Sequence, residues 1–223
     1  MKKAIIILII LILLAGGGIV GYFSWQKAKE AKFLSANPQT AEAYALIQKR
    51  ETQLKKDKNN YDYMMSIAFN WKGIGEVTKN NEYLKRSIAM YDQVIKRWGN
   101  KAYLPFLNRA NVYIELKDYI RAEQDLKIAL EIDRGEQNLY IALANLYKDY
   151  MKKSNDEVKA VYTNAMQIIV GGGNLVNNYA SFLNEIGDYK EALKYYKMLK
   201  QAYPNNLGFD EAIKELEEKL PKI

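Results

Sequence analysis

Residues 187–196 read GDYKEALKYY, and Pro204 follows soon after. Gly187 and Asp188 punctuate the chain, and Tyr189, Ala192 and Tyr196 then recur at helical spacing until the proline ends the run. Reading backwards, Ala68, Ala110, Ala144 and Ala180 recur at spacings of 42, 34 and 36 residues, each one turn before an aromatic or large apolar side chain. A period near 34 built from helical pairs predicts a repeat array, in which each unit buries its apolar face only against its neighbours.

The N-terminus carries a second strong pattern. From Ala4 to Phe23 run 20 residues with no charged or strongly polar side chain, preceded by Lys2 and Lys3 and followed by Lys27, Lys29 and Lys32. Such a run spans the bilayer core, about 30 Å at about 1.5 Å per residue. Gly16, Gly17 and Gly18 mimic a signal-peptide cleavage site, but Ile19, Val20, Tyr22 and Phe23 prolong the apolar run past it. The expectation is an uncleaved single-pass anchor over residues 1–26. With Lys27, Lys29 and Lys32 offset by Glu30, the flanking charges nearly balance, and the short tail with Lys2 and Lys3 places the N-terminus in the cytoplasm. The remainder is then expected outside. With no cysteine in the chain, a lipoprotein anchor is excluded.

The remaining 197 residues suffice for one elongated helical domain. Lys and Arg number 33 against 26 Asp and Glu, a formal charge of +7, yet only 6 of the 33 are arginine, scattered from Arg50 to Arg134. Lysine-rich, arginine-poor chemistry without a cluster argues against a nucleic-acid partner. The chain has no histidine and no cysteine. It therefore lacks the usual general base near neutral pH, the thiol nucleophile and the common metal ligands. The adjacent acidic pairs Asp156 and Glu157, Asp210 and Glu211, and Glu217 and Glu218 read as solvated helix faces. Gly171, Gly172 and Gly173 lack the lysine and hydroxyl of a phosphate loop and read as a turn. No catalytic residue, cofactor site or metal site is expected, and the chain is read as not an enzyme.

From the anchor outward, residues 27–37 form a juxtamembrane helix or linker. Asn37 and Pro38 open a packing helix over 38–58, with Ala43, Leu46, Ile47 and Leu54 on one stripe. It is expected to stand unpaired over the first repeat. Residues 103–136 resemble a tetratricopeptide repeat: Phe106 stands in the tryptophan slot, Ala110 in the glycine slot and Tyr113 in the tyrosine slot, followed by Asp118, Tyr119, Ala122 and Ala129. Residues 137–172 offer Tyr140, Leu143, Ala144, Tyr147, Val158, Tyr162 and Ala165, with two extra residues placed in the turn. Residues 173–206 give Tyr179, Ala180, Leu183, Gly187, Asp188, Tyr189, Ala192, Tyr196 and Pro204. A degenerate unit over 61–100 keeps Met64, Ile67, Ala68 and Trp71. A longer turn containing Gly73, Gly75, Asn80 and Asn81 then precedes Ser87, Tyr91 and Val94. The array is thus expected over 59–206, with a capping segment over 207–223 whose helix runs from Asp210 to Leu220. This resemblance covers about two thirds of the chain. It implies an all-α fold, a right-handed solenoid of antiparallel helix pairs following one transmembrane helix.

In the repeat family the first helix of each pair lines a concave groove. Asn108 and Asn111, then Asn138 and Asn145, then Asn174, Asn177, Asn178 and Asn184 fall on that face at helical spacings. Side-chain amides both donate and accept, so such a ladder suits the backbone of an extended peptide. Leu107, Ile141 and Asn177 occupy places where a carboxylate clamp needs a basic residue, so a clamp is not expected. The implied function is a membrane-anchored interaction scaffold for a protein or peptide partner, serving secretion or envelope assembly. The alternative is an oligomerisation module whose groove receives another copy or a fixed complex subunit.

Overall fold

The computed structural model describes residues 24–99 and 101–221. The apolar run over 4–23 lies outside them; among the described residues no helix is long and apolar enough to cross a membrane. Every regular element described is helical. Contacts divide the chain into two compact units, with the division between Met90 and Tyr91.

The first unit holds α1 (24–36), α2 (Pro38–Leu54), α3 (Tyr61–Thr78) and the first half of α4 (Asn81–Trp98). Asn37 Oδ1 accepts the amide of Gln39 at 3.0 Å and Pro38 sits where no amide donor is needed, so the chain turns and restarts there. α2 packs on α3, but it does not stand alone. Leu34 of α1 is fully buried with Ile47, Ile67, Trp71, Ile74 and Tyr83, and the Thr40 hydroxyl donates to the Leu34 carbonyl at 2.8 Å. Trp71 stacks on Tyr83 with centroids 5.5 Å apart, and Arg86 lies over Trp71 while pairing with Glu30 of α1 at 3.0 Å.

The expected long turn around Gly73 and Gly75 is corrected by the structure. Both glycines lie inside α3, and the connection to α4 is only Lys79, in the left-handed region at φ 53°, and Asn80. Gly75 is there for close approach: a Cβ on it would meet Leu84 Cδ2 at 2.6 Å. The extra length of this unit has gone into helix. Ser87 joins α4 to α3 by donating to the Ala68 carbonyl at 2.7 Å.

The second unit contains α5 (Leu104–Glu115), α6 (Tyr119–Ile132), α7 (Gln137–Asn145), α8 (Asn155–Ile168), α9 (Gly173–Glu185), α10 (Tyr189–Ala202) and α11 (Leu207–Lys219). Short turns make sequential helices pack as hairpins, α5 on α6, α7 on α8, α9 on α10 and α10 on α11. Ala110, Ala122, Ala129, Ala144, Ala165, Ala180 and Ala192 are all fully buried, which lets these helices approach closely. Around them lie Phe106, Tyr113, Leu126, Leu139, Tyr162, Leu175, Tyr179 and Leu183. Arg109 ties this core together by a bidentate pair to buried Asp125, at 2.8 and 2.6 Å, and a third bond to Asp92 at 2.5 Å. Burial pulls the Arg109 pKa down, and the hydrogen bonds to Asp125 and Asp92 outweigh it and raise it above its ordinary value.

The two extra residues of 137–172 are not simply a longer turn. α7 continues into a π-helical turn over Leu146–Tyr150, where the wider coil absorbs additional chain, and Lys152 then takes a left-handed φ of 54°. Ser154 and Glu157 close the entry to α8 as a reciprocal capping box. Gly171, at φ 78°, turns the chain into α9, and Gly187, at φ 81°, turns it into α10. α11 starts at Leu207, three residues before the expected Asp210, because Asn206 Oδ1 caps it through the amide of Gly208 at 3.0 Å.

Candidate functional site

The eight asparagines fall on three first helices of the second unit. Asn108 and Asn111 are half-buried on α5, Asn138 is exposed and Asn145 half-buried on α7, and α9 carries exposed Asn174 with half-buried Asn177, Asn178 and Asn184. Three of them come together. Asn174 Nδ2 donates to Asn138 Oδ1 at 3.4 Å across the α7–α9 boundary, and Asn178 Nδ2 donates to Asn174 Oδ1 at 3.2 Å and to the Asn174 carbonyl at 2.9 Å. The register is fixed one residue away, where Gln137 Oε1 accepts the amide of Leu175 at 3.2 Å. Side chains 36 residues apart thus form one amide row on adjacent helices.

The others are placed differently. Asn184 is drawn toward α11, its Oδ1 accepting from Lys219 Nζ at 3.3 Å. Asn177 points to a cavity of about 260 Å³ that it lines with Gly173, Asn174, Tyr203, Asn206 and Phe209. Asn108, Asn111 and Asn145 are not bonded to the row among the described residues. At the far end of these helices Lys148 lies between Glu185, at 2.7 Å, and Asp149, at 3.4 Å. Lys148 is therefore already partnered by carboxylates and is not offered as a clamp for a peptide C-terminus.

Sequence reasoning missed Gln137, Tyr203, Asn206 and Phe209. Asn206 carried a usable signal, an N-cap residue type just before a helical stretch. Tyr203, Gln137 and Phe209 carried none, because their roles depend on which helix lands beside them. On the α8–α10 side a separate apolar hollow of about 380 Å³ is lined by Met166, Val176, Met198, Leu199 and Tyr203, with Val170 at its rim 97% exposed. Among the described residues no group of three His, Cys, Asp or Glu side chains is arranged to hold a metal.

No protein-family model matches the chain, and no curated protein matches it. Several solved structures share its fold. The thermophilic TPR protein TTC0263 of Thermus thermophilus superposes with a TM-score of 0.55 at 14% identity, over 76% of this chain and 88% of that one. MamA from residue 41 onward, of Desulfovibrio magneticus RS-1, also gives 0.55 at 14% identity, over 81% and 97%. A tetratricopeptide repeat protein from Parabacteroides merdae ATCC 43184 gives 0.53 at 16% identity, over 86% and 73%. The architecture is that of tetratricopeptide repeat proteins, and at such identities the likeness extends to the fold alone.

Proposed function

We propose that this chain is a membrane-anchored scaffold that binds an extended segment of a partner protein along the amide row of α7 and α9. The observation that carries the reading is the chain of amides Asn138, Asn174 and Asn178, which crosses from one repeat to the next on a partly exposed face. A carboxamide offers both a donor and an acceptor, so a row of them matches any extended backbone and leaves sequence choice to its surroundings. The anchor is inferred from the uncharged run over 4–23, and its orientation, with the remainder outside the cytoplasm, from the short tail with Lys2 and Lys3. Tethering such a surface at the bilayer suits a role in secretion or envelope assembly.

Photo-crosslinking from position 141 or 145 in the native membrane, followed by recovery of the crosslinked protein, tests the reading. Replacing Asn138, Asn174 and Asn178 with alanine should weaken capture, each lost backbone contact removing about 0.5 to 1.5 kcal/mol, while helical content is kept. Unchanged capture retires the row. A second copy as the sole adduct, together with a mass that rises with concentration, makes the face an oligomer contact instead.

A further inference from the structure

At one end of the amide row the corner between α9 and α11 encloses the open cavity of about 260 Å³ lined by Gly173, Asn174, Asn177, Tyr203, Asn206 and Phe209. Its lining offers three carboxamides, one phenol and one apolar ring. None of the six is charged. The segment that supplies Asn174 and Asn177 is unusual in the same way: residues 160–184 carry no ionisable Asp, Glu, Lys or Arg in a chain that is 26% charged. Two charges close to the cavity in sequence, Lys200 and Asp210, pair with each other at 2.5 Å. Gly173 and Tyr203 form a tight wall, since a Cβ on Gly173 would lie 2.5 Å from the Tyr203 hydroxyl oxygen.

Building on the reading that an extended segment lies along the amide row, we propose that this cavity is the specificity pocket of that site and takes one uncharged carboxamide side chain, glutamine or asparagine, from the bound segment. Carboxamides satisfy one another through a donor and an acceptor at once, and Asn174 and Asn177 supply both. The methylene stem of a glutamine packs against Phe209 and Tyr203. A carboxylate or an ammonium in the same place gives up part of its hydration and meets no charged lining residue, so it gains nothing over a neutral group.

The test uses the full chain in detergent and a set of extended peptides identical except for Gln, Ala, Glu or Lys at one position, scanned along the peptide. The glutamine peptide should bind about tenfold tighter than its alanine version, the equivalent of one or two net hydrogen bonds. Glutamate and lysine versions should bind no better than alanine, and glutamine affinity should change by less than about twofold when salt is raised through the range that screens surface charge. Asn177→Asp should transfer the preference to lysine and introduce salt dependence, while Asn174→Ala should lower glutamine binding without creating a charge preference. Wild-type selection of Glu or Lys overturns the pocket, as does an Asn177→Asp variant that folds like its parent and keeps the glutamine preference. Either result leaves the amide row standing provided that the variant with Asn138, Asn174 and Asn178 replaced by alanine loses binding. Failure of every peptide to bind overturns the row, and the pocket with it.

Discussion

At the scale of single residues, Asp125 and the small alanines decide most. Asp125 is 3% exposed and holds Arg109 through two bonds, so removing its carboxylate leaves a desolvated guanidinium without its main partner. Asp125→Ala should cost about 3 to 5 kcal/mol in denaturant unfolding, whereas Arg121→Ala, at an exposed pair with Asp118, should cost less than about 1 kcal/mol. Equal losses for the two would mean that burial does not set the worth of these pairs. Ala110 and Ala122 have no exposed surface between α5 and α6. Ala110→Leu and Ala122→Leu force extra methyl groups into a closed space and should each lower stability by about 1 to 3 kcal/mol. Val170, 97% exposed, supplies the control: Val170→Ser should leave the melting temperature unchanged.

Among elements, α8 gives a pH signature and α7 shows what a sequence hides. The Glu157 carboxylate accepts from the Ser154 amide at 2.9 Å and its hydroxyl at 2.8 Å, and these bonds lower its pKa from the usual 4.5 to about 2. Its contribution to the α8 cap is therefore complete above about pH 4.5 and is lost as pH falls toward 2. Thermal melts of Glu157→Gln should lie below the parent at pH 6 and converge with it near pH 2; a constant offset would remove the cap from the account. Helix punctuation was legible wherever a residue type has one meaning, as with Asn37 before Pro38 or Gly187 before Asp188. Gly75 misled because glycine signals either a turn or a close approach, and only Leu84 in place distinguishes them. The spacing of 36 between Ala144 and Ala180 announced surplus chain, expected in the turn, whereas α7 runs on into a π turn over Leu146–Tyr150. Deleting Lys148 should restore a plain α-helical turn with little loss of stability, and mutant spectra showing lost helix would count against that.

For the molecule as a whole, topology is the first expectation to check. Protease added outside intact cells, with any wall or outer membrane opened, should digest residues 27–223, and protection behind a sealed inner membrane would reverse the orientation read from Lys2 and Lys3. The helical array was readable from period and small residues, since repeats must present the same face to each neighbour. The candidate site was readable only by residue type. Eight asparagines were visible, but the bonding of Asn138 to Asn174 and the cavity at Asn177 depend on how neighbouring helices close, which periodicity does not encode. The last described helix, α11, fully buries only one of its residues, Leu216, and its other contacts with α10 are partly exposed. With so little buried, α11 opens more readily than helices that bury several residues. Phe209 and the Asn206 cap belong to the part that opens, so a segment seated beside them acts as a clasp: occupancy should slow trypsin cleavage at Lys214 and Lys219 before it changes the global melting temperature.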